Sequence, residues 1–301
     1  TGLSVGFAFK TGLFNIGAAG QYTLGAFGAL YCAIVLQWPW YLCLLAAMLF
    51  GAIWGALPGI FKAYLNINEV ITAIMFNWIG LYMVNDIMYG KGKSPMYDLA
   101  STKTYSLRKA APQAMIPSLG MSELFGKLQS VTIAIFIAIF FAIVVYIILN
   151  KTAFGYELRA CGFNKNAARY AGINEKRNII LAMMISGALA GVGAGLYYLS
   201  TVAEWNPQVS TALPAMGFNG ISTALLACSN PIGTIFSSLF ISYITVGGTK
   251  LSTQYYTKEI ADVITALIIY LCAFSLLFKN KIRALLVGKA KRVSVGKGGD
   301  D

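Results

Sequence analysis

The residues best suited to chemistry in this sequence are neutral amides, and they stand where amides are costly. Phe14-Asn15-Ile16-Gly17 and Phe218-Asn219-Gly220-Ile221 show one short polar interruption in each half of an otherwise apolar chain. The first runs on through Gly20-Gln21 to Gly25, the second to Ser229-Asn230-Pro231-Ile232-Gly233. A further amide, Asn77, lies between Phe76 and Trp78. Backbone freed by glycine or proline inside hydrocarbon must find partners in protein or in a water-lined cavity. Interrupted segments at corresponding places in two halves point to an internal repeat with a transport route at its interface. The alternative is that the amides bond neighbouring helices and the glycines only pack them, as Gly187, Gly191 and Gly195 would at close helix contacts.

Other chemistries are excluded by what is missing. The sequence contains no histidine, so a histidine base, a histidine zinc site and a histidine proton relay are ruled out. Cys32, Cys43, Cys228 and Cys272 lie in apolar runs and Cys161 in a basic loop, with no disulfide or metal spacing. No catalytic residue and no metal site is expected. Gly92-Lys93-Ser94 ends like a phosphate-binding loop, but that motif needs glycine where Ile87 stands. Glu69 and Asp86 mark opposite ends of one apolar run, and Lys258 and Asp262 are spaced to pair on one helix face. No carboxylate stands alone at mid-span, which weakens a proton-coupled mechanism.

The elements that must hold these residues are membrane helices. The 301 residues are 57% hydrophobic and only 11% charged, with mean hydropathy +0.67; a soluble domain carries about a quarter charged residues. A span needs about 20 apolar residues, which predicts helices near 21–38, 41–62, 68–89, 130–149, 179–200, 220–247 and 258–278, and the end of another before residue 10. The run 220–247 is expected to break at Ser229-Asn230-Pro231 into two half-length pieces. The fold class is therefore all-α: a polytopic membrane protein of about 8 or more helices, with broken half-helices in two pseudo-symmetric halves. Residues 1–278 form the transmembrane domain and 279–301 a basic tail. The sequence starts at Thr1 in mid-apolar stretch without a cleavable signal pattern, and is expected to belong to a longer polypeptide with at least one span upstream.

Net charge is +12, spread over loops and tail. That suits anionic lipid headgroups better than nucleic acid; lysine outnumbering arginine 17 to 6 argues against bidentate phosphate reading. Loops 90–129 and 150–178 each hold six basic and two acidic residues, and the span between them puts them on opposite sides. The tail from Lys279 holds seven Lys and Arg and is expected to be cytoplasmic. Loop 150–178 then shares its side, and loop 90–129 is external. Lysine-, isoleucine- and asparagine-rich composition suits an AT-rich bacterial genome and its cell membrane.

Five blocks occur in order: "GLFNIGAAGQYTLGA" (Gly12–Ala26), "NEVITAIMFNWI" (Asn68–Ile79), "TAFGYELRACGFNKNAARYAGI" (Thr152–Ile173), "SGALAGVGAGL" (Ser186–Leu196) and "GFNGISTALLACSNPIG" (Gly217–Gly233). Together they resemble the permease subunits of ABC importers for nucleosides and simple sugars, in the branched-chain amino-acid/ribose permease group. FNIG and NEVIT look most like the nucleoside branch. Where the family usually has glutamate, this sequence has Ala19.

The resemblance implies a permease that pairs with a second, non-identical permease, with cytoplasmic ATPase subunits that hold ATP and Mg, and with an external substrate-binding lipoprotein. This chain itself would hold no cofactor and catalyse nothing. It implies a short ATPase-docking helix within 155–173. Gly155 and Gly162 would allow turns, Asn164 would cap a helix of about two turns ended by Gly172, and Ala167, Ala168 and Ala171 would permit close approach, with Arg159 and Arg169 offering charge. A nucleoside has an apolar base face and polar edges and hydroxyls. Phe14, Tyr22, Trp78 and Phe218 with Asn15, Gln21, Asn77, Asn219, Ser222 and Asn230 would supply a matching wall. A simple-sugar permease and an ion-coupled secondary carrier are the alternatives.

Overall fold

The computed structural model describes residues 1–89, 94–98, 103–120, 131–205 and 212–249, with residues 260, 263, 264, 266–268, 270 and 271 of a further helical stretch. The tail 279–301, Lys258 and Asp262, and most of the expected span 258–278 lie outside the described residues. Close packing divides the chain into two compact units, Thr1–Ser237 and Ser238–Asp301.

The first unit is built around a helix that is apolar on every side. α2 (Ala18–Ile34) buries all of its residues except Tyr31, as a helix without a polar face must. α3 (Trp40–Leu65) and α4 (Glu69–Tyr89) follow it through short links. Asn66 closes α3 in the left-handed conformation, φ 52°, which asparagine tolerates better than most residues. Glu69 pairs with Lys62 across this link, so the carboxylate at the start of α4 is neutralised within the chain. α1 (Gly2–Lys10) lies before α2, where the sequence predicts the end of a span.

Within the loop expected at 90–129, the described residues form local structure. Tyr97–Asp98 pairs antiparallel with Lys103–Thr104, and α5 (Leu107–Ala110) and a 3₁₀ turn (Pro112–Ala114) follow. Met96, Leu107, Ala114 and Ile116 extend the apolar core into it. α6 (Ala134–Lys151), α7 (Ala153–Phe163), α8 (Lys165–Tyr170) and α9 (Glu175–Leu199) come next. α10 (Ala215–Leu226) and α11 (Pro231–Thr249) complete the described helices.

Five of these, α3, α4, α6, α9 and α11, are long and apolar enough to cross a membrane, and the chain is a multi-pass membrane protein. One sequence expectation needs correcting. The run 220–247 does break at Ser229-Asn230-Pro231, but unequally: α10 has 12 residues and α11 has 19. Pro231 at its first position starts the second piece, which is long enough to be a full-length span.

α9 is locked to its neighbours through glycine. A methyl on Gly187 would stand 2.9 Å from the Cα of Gly55, and one on Gly51 would stand 2.9 Å from the Cα of Gly191; Gly25 of α2 touches Gly191 as well. Bare backbones thus meet along one seam. In lipid, where apolar side chains gain nothing by leaving their solvent, such close backbone contact is a main source of helix association.

Candidate functional site

The first interruption is an extended stretch at helix depth. α1 ends at Lys10; Gly12, at φ 73°, turns the chain back, and residues 12–17 lead to the start of α2. Asn15 is fully buried. Its amide donates to the Gln21 side-chain oxygen at 2.8 Å and to the Ser186 hydroxyl at 2.7 Å, and Gln21 returns a bond to Asn15 at 3.1 Å. Ser186 in turn donates to the Ser4 carbonyl at 2.7 Å. Asn77 reaches over from α4: its oxygen accepts from the Gly20 N–H at 2.7 Å and its amide donates to the Ile16 carbonyl at 3.1 Å. Gly20 is in the first turn of α2, whose N–H groups have no partner inside the helix. A neighbouring helix therefore caps the broken one.

Asn15, Gln21 and Asn77 are thus each 1% exposed or less. In this chain they present no surface to a lumen, because the freed backbone and the three amides satisfy one another. Tyr22 is buried as well and faces Tyr198 of α9, ring centroids 6.2 Å apart.

The second interruption is a tight turn. Cys228 and Ser229 both take left-handed backbone, φ 49° and 55°, a conformation that costs non-glycine residues about 1 kcal/mol or more each. Asn230 then caps α11, accepting from the Ile232 N–H at 3.1 Å. Ser222 bonds back to the Phe218 carbonyl of its own helix. Asn219 is half-buried and Phe218 is 42% exposed.

Phe218-Asn219-Gly220-Ile221, expected from the sequence to interrupt a span, is instead continuous helix within α10. There Gly217 lies directly against Ala19 in the first turn of α2, with no room for even a methyl. The accessible members of the expected set are Phe14, which stacks on Phe9 at 4.9 Å, Trp78, Phe218, Asn219 and Asn230.

The segment 155–173 folds into α7 and α8. Asn164 caps α8 by accepting from the Ala167 N–H at 3.1 Å, and Gly172 ends it at φ 79° with open space around it. Gly155 and Gly162 do not form turns; both lie inside α7. Gly155 abuts the backbone of Ile148 and Leu149, and Gly162 that of Thr11 and Gly12, so they let α7 lie flat on the ends of α6 and α1. Ala168 is 4% exposed and faces inward, whereas Ala167, Ala171 and Arg169 are exposed. Phe163 and Tyr170 are 91% and 94% exposed, far more than free aromatic rings normally are in water. Sequence reasoning passed over both, although an aromatic in a basic loop is a signal of contact. Between α7 and α8 runs a groove of about 480 Å³ lined by Tyr156, Arg159, Phe163, Ala167 and Ala171. The Arg159 Nε is buried without a hydrogen-bond partner. Cys161 lies beneath, where burial pushes its thiol pKa up, so it stays a neutral filler.

A polytopic helical bundle with a buried amide network at a break between helices defines the class, a multi-pass membrane protein. The chain belongs to the family described as branched-chain amino acid transport system permease component, which it matches over residues 1–273. It is 33% identical over 297 residues to the guanosine ABC transporter permease protein NupP of Bacillus subtilis (strain 168), covering 97% of this chain and 81% of that one. It is 33% identical over 305 residues to the nucleoside ABC transporter permease protein NupB of Lactococcus lactis subsp. cremoris (strain MG1363), covering 99% and 82%. A second permease of that strain, the nucleoside ABC transporter permease protein NupC, is 27% identical over 258 residues, covering 80% of this chain and 76% of its own length. No solved structure matches the chain.

Proposed function

We propose that this chain is the membrane-spanning permease subunit of an ATP-binding-cassette importer for nucleosides, located in a bacterial cytoplasmic membrane. The observation that carries the reading is likeness over nearly the whole chain to two nucleoside permeases. That likeness to both NupB and NupC of one strain favours a non-identical partner permease. Separate ATPase subunits supply ATP binding and hydrolysis, and an external lipoprotein delivers solute.

In this reading the α7–α8 end is cytoplasmic and receives the ATPase. Phe163 and Tyr170 gain by being covered, and the groove beside Arg159 accepts a partner group that satisfies its buried Nε. The end bearing residues 94–120 is external. Phe14, Trp78, Phe218 and Asn219 belong to the wall of the route, while Asn15, Gln21 and Asn77 hold that wall in shape. The Gly217–Ala19 contact, where α10 touches the first turn of α2, lets a shift of one helix reach the other.

Uptake of tritiated guanosine into proteoliposomes holding this chain, its partner permease and the ATPase tests the reading. Transport that requires ATP and is stopped by vanadate is expected. Transport that persists without the ATPase and collapses with an ion gradient would make the chain a secondary carrier instead.

A further inference from the structure

The end of the first unit that carries residues 94–120 holds a pocket the route does not use. It encloses about 390 Å³ between the segments 104–108 and 198–205. Thr104 ties these segments together, its N–H and hydroxyl both donating to the Trp205 carbonyl, at 3.0 and 3.2 Å. Trp205 is 8% exposed, and Tyr198 packs on it with centroids 6.2 Å apart; with Leu30, Leu107 and Val202 these rings, anchored in the core, form the apolar wall. Ser106 precedes α5 without making a capping bond. Arg108 reaches the Thr201 hydroxyl at 3.5 Å, and Glu204 lies 3.8 Å from Lys103.

Pockets that enclose small organic ligands span about 300–1,000 Å³ and combine apolar walls with a few polar groups. At the small end of that range, this one suits a single small solute and not a peptide. Glu204 is paired with Lys103 and Arg108 hydrogen-bonds the Thr201 hydroxyl, so the pocket offers an uncharged ligand several polar groups for hydrogen bonds. Two aromatic rings beside a carboxylate and a hydroxyl fit a flat heterocycle carrying a hydroxylated sugar.

We propose that this pocket binds a nucleoside, with the base against Tyr198 and Trp205 and ribose hydroxyls donating to Glu204 and bonding Ser106. It would be a loading site on the outer end of this one chain, ahead of the route. The proposal rests on the nucleoside-importer reading and on its orientation.

Equilibrium binding of tritiated guanosine to the full transporter in nanodiscs, without receptor protein, tests it. Saturable binding is expected, weakened about tenfold by Ser106→Ala with Glu204→Ala, since each substitution removes one hydrogen bond to ligand. Should the double variant fail to assemble, Ser106→Ala alone is expected to cost about threefold. Absence of receptor-free binding, or equal binding by the variants, overturns the proposal. So does unchanged binding with lost receptor stimulation of the ATPase, which would make this surface a receptor dock. Wild-type uptake that needs ATP keeps the importer reading intact whichever of these occurs, and its loss would sink that reading separately.

Discussion

Asn77 shows how one side chain makes an irregular segment tolerable inside a membrane. It supplies an acceptor to the first turn of α2 and a donor to the Ile16 carbonyl, so the break carries no orphaned group at that point. Replacing it with leucine, which has the same branching but no polar atom, leaves both backbone groups buried and unpaired, and each costs about 1–3 kcal/mol. We expect Asn77→Leu to lower the thermal unfolding midpoint of the purified transporter clearly, while Trp78→Leu next to it changes little. Equal midpoints would mean that water reaches the segment. The amide at depth was legible in the sequence; its partner was not, because nothing in the sequence says which backbone a side chain on α4 will meet. The same holds for Asn15 and Ser186, residues of distant segments joined at 2.7 Å.

At the scale of elements, glycine has two uses that sequence alone does not separate. The spacing of Gly187, Gly191 and Gly195 reads as a packing surface, and the structure supplies the facing partners, Gly51 and Gly55 of α3. Gly155 and Gly162 read as turn residues but are helical, because what demands glycine there is the backbone of a neighbouring element. Gly172 is a true turn glycine. The positions should therefore respond differently. Gly191→Val forces α9 away from α3 and is expected to abolish assembly, seen as loss of the monodisperse peak in gel filtration. Gly172→Ala meets open space and costs only left-handed strain, about 1 kcal/mol, so the protein should assemble normally. The break at Asn230-Pro231 was also legible, through cap and proline chemistry. The length of α11 beyond it was not, since cap signals fix where a helix starts and not how far it runs.

At the scale of the whole molecule, the proposed coupling runs from an ATPase through the exposed element α7–α8 to the amide-sealed bundle. Ala168, expected from the sequence at the partner contact, is packed inward, so the proposed contact is assigned to its exposed neighbours Ala167, Arg169 and Tyr170. Ala167→Glu with Arg169→Glu reverses the charge of the exposed face without touching the packed one. Guanosine uptake is expected to fall at least tenfold while the ATPase keeps hydrolysing ATP; unchanged uptake would separate this face from coupling. The most direct measurement places a photo-reactive benzophenone side chain at Tyr170 in the assembled transporter, with a second version at Leu119, which is 76% exposed in the 94–120 segment. The account predicts that the Tyr170 probe crosslinks to the ATPase subunit, with a yield that changes between ATP-vanadate and nucleotide-free states, and that the Leu119 probe never does. An ATPase captured from Leu119, or none captured from Tyr170, would contradict it.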